Sequence, residues 1–258
     1  MSADPPPAGS DPTQRFSGRA DAYVRYRPHY PAGVLDVLRA EFGLTPASVI
    51  ADIGSGTGIS TALFLDHGNP VHAVEPNREM RAAAERLLGG RPNFHSVDGT
   101  AEATTLPDHG VDVVAAAQAF HWFKVEPTRA EFRRILRPGG WVVLMWNTRL
   151  KDPPFARAYE DLLAALEGGN ARVSHEEAEQ NAVGKFFAGK FQRRTLPNER
   201  TLDFAALRGG LLSASYAPLE GQPGHAPMLA RLRRIFDAHQ QGGRVRLDLE
   251  TRLYFGRL

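Results

Sequence analysis

The sequence predicts an α/β fold built on a doubly wound parallel sheet. Three observations carry that prediction. Short apolar runs alternate with amphipathic segments from residue 31 to 147, joined by short connections. The runs show little polar alternation, as strands covered on both faces do. The first of them, Val49-Ile50-Ala51-Asp52-Ile53, runs straight into a glycine-rich turn, Gly54-Ser55-Gly56-Thr57-Gly58.

The bulk properties set the class. The chain has 258 residues, 42% apolar and 23% charged, which suits one large soluble domain or a domain with a substantial insertion. A net charge of +2 is not the footprint of a nucleic-acid binder. Without cysteine there are no disulfides, thiolate metal sites or cysteine nucleophiles, and a cytoplasmic location fits. The start, Met1 to Pro7, lacks the basic and apolar regions of a signal peptide. The apolar run Trp141 to Trp146 is far too short to span a bilayer, so no membrane partner is expected.

Residues 1–13 are mostly Pro, Ser, Asp and Gly, and a disordered tail is expected. Phe16 to Tyr30 sets Phe16, Tyr23, Tyr26 and Tyr30 among Arg19, Arg25 and Arg27, with a short helix over 20–26 stopped by Pro28. This arm reads equally as simple packing or as a lid over a ligand. Pro31 opens an amphipathic helix carrying Val34, Leu35, Val37, Leu38 and Phe42, which Gly43 ends. Residues 48–53 form the first strand, 59–65 the next helix, and 71–74 a second strand ending on Glu75. Asn77 caps a helix over 78–88, closed by Gly89-Gly90. A third strand spans 93–97 and a fourth 111–117, which leads into Gln118-Ala119-Phe120-His121-Trp122-Phe123. A helix over 127–136 stops at Arg137-Pro138-Gly139-Gly140, and 141–146 is a fifth strand. The pattern then loosens: a helix over 155–166, a polar stretch over 168–180, a strand over 191–196, helices over 202–212 and 227–239, and a closing strand over 244–255.

The glycine turn points to a nucleoside ligand with a charged appendage. Glycines let the backbone turn sharply and approach a ligand, and the next helix offers unpaired N–H groups. Glu75 lies where a carboxylate accepts both hydroxyls of a ribose. A dinucleotide site wants G-x-G-x-x-G, but Ile59 occupies the last position. Asp52, just before the turn, would repel a pyrophosphate and suits a ligand with an ammonium group and a sulfonium.

At these residues the chain resembles the class I S-adenosylmethionine-dependent methyltransferases. Asp52 to Gly58 looks like their first motif and Val74-Glu75-Pro76-Asn77 like their second. Ala101-Glu102 through Leu106-Pro107, Val111 to Val114, and Arg137 to Gly140 are similar to the later ones. A narrower resemblance rests on Tyr23, Arg27-Pro28 and Tyr30-Pro31, on 117–123, on Trp146-Asn147 and on 212–218. It is to the small-molecule branch that includes trans-aconitate-type enzymes.

The resemblance implies a Rossmann-like, seven-stranded mixed sheet with a helical cap insertion, and S-adenosylmethionine as cofactor. The implied domains are the tail (1–13), the arm with the cofactor-binding core (14–150), a helical cap or acceptor region with one strand (151–240), and a terminal strand completing the sheet (241–258). It also implies that Gly54, Ser55, Gly56 and Gly58 line the methionine part, that Asp52 receives its amino group, and that Glu75, beside Pro76, holds the ribose. Tyr23 and Arg27 would close over the cofactor carboxylate, and Gln118 completes the set. Relatives often place an Asp directly before the Ala-Glu pair; here Thr100 stands there and Asp98 two residues earlier. The adenine contact is therefore open between Asp98, Thr100 and the Ala101 backbone.

The methyl acceptor, a small organic molecule, is expected beyond the carboxyl ends of the fourth and fifth strands. His121 stands there as a general base or an orienting group, with a packed loop histidine as the alternative; Trp122 reads as pocket wall. The expected reaction is O-methylation with carboxylates among the acceptors; N- or C-methylation and a non-catalytic cofactor-binding protein are the alternatives. No metal is expected: His72, His95 and His109 have no ligand spacing and read as surface or loop residues. The assembly is read as monomer or homodimer.

Overall fold

The computed structural model describes residues 20–166, 175–214 and 216–258, with the side chains of 20–22 and 175–178 excepted. The tail, Phe16 and Arg19 of the arm, and Ser215 lie outside them. The described elements run α1 (Ala20–Tyr26), α2 (Gly33–Phe42), β1 (Ile50–Ile53), α3 (Ile59–His67), β2 (Val71–Val74), α4 (Arg78–Leu88), β3 (Phe94–Val97) and β4 (Val111–Ala117). After a 3-10 turn at Phe120–Trp122 come α5 (Val125–Ile135), β5 (Leu136–Arg149), α6 (Pro154–Leu166), α7 (His175–Phe186), β6 (Gln192–Leu202), α8 (Phe204–Leu212), α9 (His225–His239) and β7 (Val245–Gly256).

The seven strands form one mixed sheet in the order β3-β2-β1-β4-β5-β7-β6. The first five are parallel, and β7 runs antiparallel between β5 and β6. All four residues of β1 are buried, because helices cover both faces there. Ile53, Phe120, Phe132 and Phe186 belong to one apolar layer; Val34, Leu38, Ile50 and Phe64 belong to another. A further cluster joins α6, α8, α9 and the start of β7, through Tyr159, Leu207, Leu232 and Leu247. The strand order reverses at β1, which lies between β2 and β4, and a crevice opens at the carboxyl ends there.

Four elements differ from the sequence reading. The Arg137 to Gly140 segment does not merely end a helix. It is the entrance of β5, where Leu136 pairs with Val111 across a register shift. Gly140 permits this, since a Cβ there would lie 2.9 Å from the Asp112 carbonyl oxygen. Strand β6 runs past Pro197 to Leu202, because it is the sheet edge and its outer N–H groups need no partner. Helix α7 arises within the stretch read as polar: its polar start is followed by Val183 and Phe186, both buried. His72 and His95 are strand residues in register on β2 and β3, with rings stacked at 5.0 Å. Among the described residues no helix is long and apolar enough to cross a membrane.

Candidate active site

The glycine turn closes the crevice beside β1. Gly54 and Gly58 hold φ of 67° and 89°, values that side-chain-bearing residues rarely adopt. Both also lack space: a Cβ on Gly54 would sit 2.6 Å from the Ala119 Cβ, and one on Gly58 2.5 Å from the Leu88 Cδ1. The glycine signal therefore reports packing as well as ligand approach.

Asp52 lies at the foot of this turn with no exposed surface. Its Oδ2 accepts from the Ser60 and Thr61 hydroxyls, each at 2.7 Å. Its Oδ1 is buried and has no hydrogen-bond partner. Burial raises its pKa from 3.8 to about 6, against the lowering effect of the two hydroxyls. An unpaired carboxylate oxygen in a dry site lacks a cation, and an ammonium group fits that need.

Glu75, at the end of β2, is buried. It accepts from the Gly56 N–H at 2.9 Å and the Asn77 N–H at 2.8 Å, one on each oxygen. Each oxygen keeps a further lone pair, as acceptance of two hydroxyls requires. Burial raises its pKa despite these contacts. Arg81 donates to the Glu75 and Pro76 carbonyls at 2.7 and 3.3 Å and pairs with Asp98 at 2.8 Å, tying the 98–101 loop to this turn. Thr100 bridges to Ala103, and Ala101 is buried.

A cavity of about 1010 Å³ opens from Gly54, Ser55 and Gly56 towards the helices after β5. Tyr23, Arg27 and Gln118 line it; Asp52, Gly58, Glu75, Pro76, Asp98, Thr100 and Ala101 are not among its lining residues. Gln118, at the end of β4, holds φ of 55° and donates through Nε2 to the Asn147 carbonyl at 2.9 Å. Such strain in a non-glycine residue clusters at functional sites.

The arm forms the roof. Arg27 lies 4.9 Å from the Tyr23 ring centroid and donates to the Ser213 carbonyl at 3.1 Å, while its buried Nε lacks a hydrogen-bond partner. The Tyr26 ring fills a notch at Gly209 of α8, where a Cβ would lie 2.2 Å from the ring. The His29 carbonyl accepts from Asn147 at 3.4 Å and from Asn198 at 2.9 Å.

His121 is exposed and Trp122 half-buried; their rings sit 4.7 Å apart in the 3-10 turn, and neither lines the cavity. The far wall holds residues that sequence reasoning did not single out: Tyr159, Arg200, and Arg149 paired with Glu160. They come from distant segments without a motif, so no local signal marks them. Five basic side chains (Arg27, Arg149, Lys151, Arg200 and Arg252) line the cavity against two acidic ones, Glu160 and Glu179. Among the described residues no cluster of three or more His, Cys, Asp or Glu could hold a metal.

Residues 51–144 match the sequence profile of a family described as a methyltransferase domain. An uncharacterized methyltransferase of Mycobacterium tuberculosis is 41% identical over 143 residues, 54% of either chain. An uncharacterized methyltransferase of Schizosaccharomyces pombe is 32% identical over 61% of this chain and 62% of its own. A malonyl-(acyl-carrier protein) O-methyltransferase of Marinomonas sp. is 29% identical over 57% of this chain and 55% of its own. The chain spans about half the length of the curated relatives it matches. Among solved structures, a protein of Anaeromyxobacter dehalogenans provisionally assigned as a type II methyltransferase superposes with a TM-score of 0.69 at 26% identity, covering 90% of this chain and 98% of that one. A Geobacter sulfurreducens S-adenosylmethionine-dependent methyltransferase, solved with S-adenosyl-L-homocysteine, shares the fold at a TM-score of 0.53 and 18% identity, over 95% of this chain and 98% of that one.

Proposed function

We propose that this chain is an S-adenosylmethionine-dependent methyltransferase that acts on an oxygen of a small organic acid. One observation carries the reading. The Asp52 carboxylate is dry, paired on one oxygen only, and sits at the foot of the glycine turn inside the segment that matches a methyltransferase domain. When bound, S-adenosylmethionine supplies a sulfonium methyl group as the electrophile.

The chain's own part is to bind, orient and exclude water. Asp52 takes the ammonium group of the methionine end. Arg27, with an unpaired Nε, meets the carboxylate beside it. Glu75 accepts the ribose hydroxyls on its remaining lone pairs. Gln118 and Asn147, joined across the ends of β4 and β5, form the floor on which the acceptor oxygen lies.

A carboxylate is already ionised at neutral pH, so its methylation releases no proton and asks for no base. The exposed place of His121, outside the cavity, agrees with that. The basic excess of the cavity favours an anionic acceptor over an amine. The Marinomonas relative is an O-methyltransferase by name. The narrower sequence resemblance, to the branch with trans-aconitate-type enzymes, points the same way.

Calorimetry with S-adenosylmethionine, S-adenosylhomocysteine and NAD tests the cofactor. Both sulfur nucleosides should bind, and tighter binding of NAD would end the reading. A panel of carboxylates, phenols and amines, read by S-adenosylhomocysteine release, tests the acceptor. Turnover of amines alone would overturn the oxygen assignment. Binding without turnover of any of them would leave a cofactor-binding protein and no enzyme.

A further inference from the structure

The far end of the cavity is unused by the cofactor reading. At about 1010 Å³ the cavity sits at the upper end of small-ligand sites, so an acceptor has room beside a cofactor. Arg200, on β6, lines that end and is half-buried. It donates to the Tyr26 carbonyl at 3.2 Å and has no carboxylate partner among the described residues. Its neighbours differ: Arg149 is paired with Glu160, and Arg252 with Glu250. Burial lowers the pKa of Arg200, as expected of a cation taken partly out of water without a counter-charge. The wall around it is apolar and aromatic, made by Tyr159, Leu202, Leu207, Tyr216, Leu247 and Leu249.

The sheet order sets how far the strand that carries Arg200 lies from the rest of the site. Strands β4, β5 and β7 separate β6 from β1. Four strand spacings of about 4.8 Å place the two backbones about 19 Å apart. Gln118 follows β4 and Asn147 lies on β5, so two to three of these spacings, about 10–14 Å, separate β6 from that floor, and an anion on Arg200 needs a spacer to reach an oxygen held there.

We propose that Arg200 anchors a second, unreacted carboxylate of the acceptor, and that the acceptor class is a dicarboxylate with an apolar spacer. The inference rests on the methyl-transfer reading above. One carboxylate lies on the Gln118–Asn147 floor, the spacer runs along the leucine and tyrosine wall, and the other carboxylate pairs with the Arg200 guanidinium. In the transfer, an oxygen of the first carboxylate forms a bond to the methyl carbon. The carbon–sulfur bond breaks with its electron pair going to sulfur. A monomethyl ester and a neutral thioether result, and no proton moves.

The test is calorimetry on the chain saturated with S-adenosylhomocysteine. The probes are succinate, adipate, suberate and sebacate, with octanoate as the mono-acid matched to suberate. Suberate should bind at least about tenfold tighter than octanoate, as one charge-assisted bidentate pair allows. Arg200→Gln should abolish that preference while S-adenosylhomocysteine affinity stays within about twofold, and Arg200→Lys should restore part of it.

Equal binding of suberate and octanoate, or a preference that survives Arg200→Gln, overturns the proposal. So does a complex with S-adenosylhomocysteine to which none of the four diacids binds. If Arg200→Gln weakens S-adenosylhomocysteine and suberate by the same factor, Arg200 only fastens the Tyr26 carbonyl and is no anchor. A wild-type chain that fails to bind S-adenosylhomocysteine is a different result: it refutes methyl transfer itself, and this inference with it.

Discussion

Replacing Asp52 by asparagine isolates the effect of burying a half-paired carboxylate. In the folded chain its pKa stands at about 6, against 3.8 for the ordinary group. At about 1.36 kcal/mol per unit, that difference amounts to about 3 kcal/mol. The sign follows from proton binding. Between pH 4 and 6 the folded state holds this proton more tightly than the unfolded state does. Its stabilising contribution is complete below pH 3.8 and is lost as pH rises through 6. Above that, the ligand-free wild type carries a destabilisation of about 3 kcal/mol that the asparagine variant lacks. The new amide leaves one buried N–H unsatisfied, a loss of about 1–3 kcal/mol that does not vary with pH. Urea unfolding of both proteins from pH 4 to 7.5, without cofactor, reads the difference. The stability of Asp52→Asn relative to wild type should climb by about 2.4 kcal/mol over that range, the remainder of the change lying below pH 4. A flat difference would refute the claim that this carboxylate is unpaired and buried.

Glu75→Ala should weaken S-adenosylhomocysteine binding roughly tenfold to a hundredfold, from lost hydrogen bonds to a charged acceptor; unchanged calorimetric affinity would sink the ribose contact. Gly209→Ala forces the Tyr26 ring out of its notch. Trypsin should then cut faster after Arg25 and S-adenosylhomocysteine should bind more weakly, whereas an unchanged cleavage rate would show that the arm does not depend on the notch. His121→Ala should leave turnover within about twofold. A fall of about a hundredfold or more, the scale of a lost general base, would restore that role.

The first half of the fold is legible because its signals are local. Asn77 accepts from the Met80 N–H at 3.0 Å as a cap should, and Gly43 ends α2 in the left-handed region. The second half is not, because its elements are defined by distant partners. Strand β6 reads as ending before Pro197 until β7 is seen beside it along its whole length. The candidate site divides in the same way. Asp52 asks for a cation from its place before the turn, but only the fold shows which of its oxygens is unpaired. Arg200 is one of many arginines in the sequence, and its meaning depends on an absent counter-ion and a wall drawn from β6, β7, α6 and α8. The His121-Trp122 pair shows the converse: its position after β4 suggests the pocket, yet neither residue of this 3-10 turn lines the cavity.

The position of β7 bears on the order in which the molecule can be assembled. Its residues, 245–256, are the last of the seven strands to be synthesised, yet they lie between β5 and β6. Until they emerge, β5 offers an open row of unpaired backbone groups, flanked by Val142, Val143, Leu144 and Met145. An edge of this kind invites pairing with another chain. The nascent protein therefore passes through a stage in which the parallel strands are made but the sheet is unfinished, and it is most prone to aggregation there. Changes that slow the arrival of β7 should lower the yield of folded protein without touching a residue of the cavity.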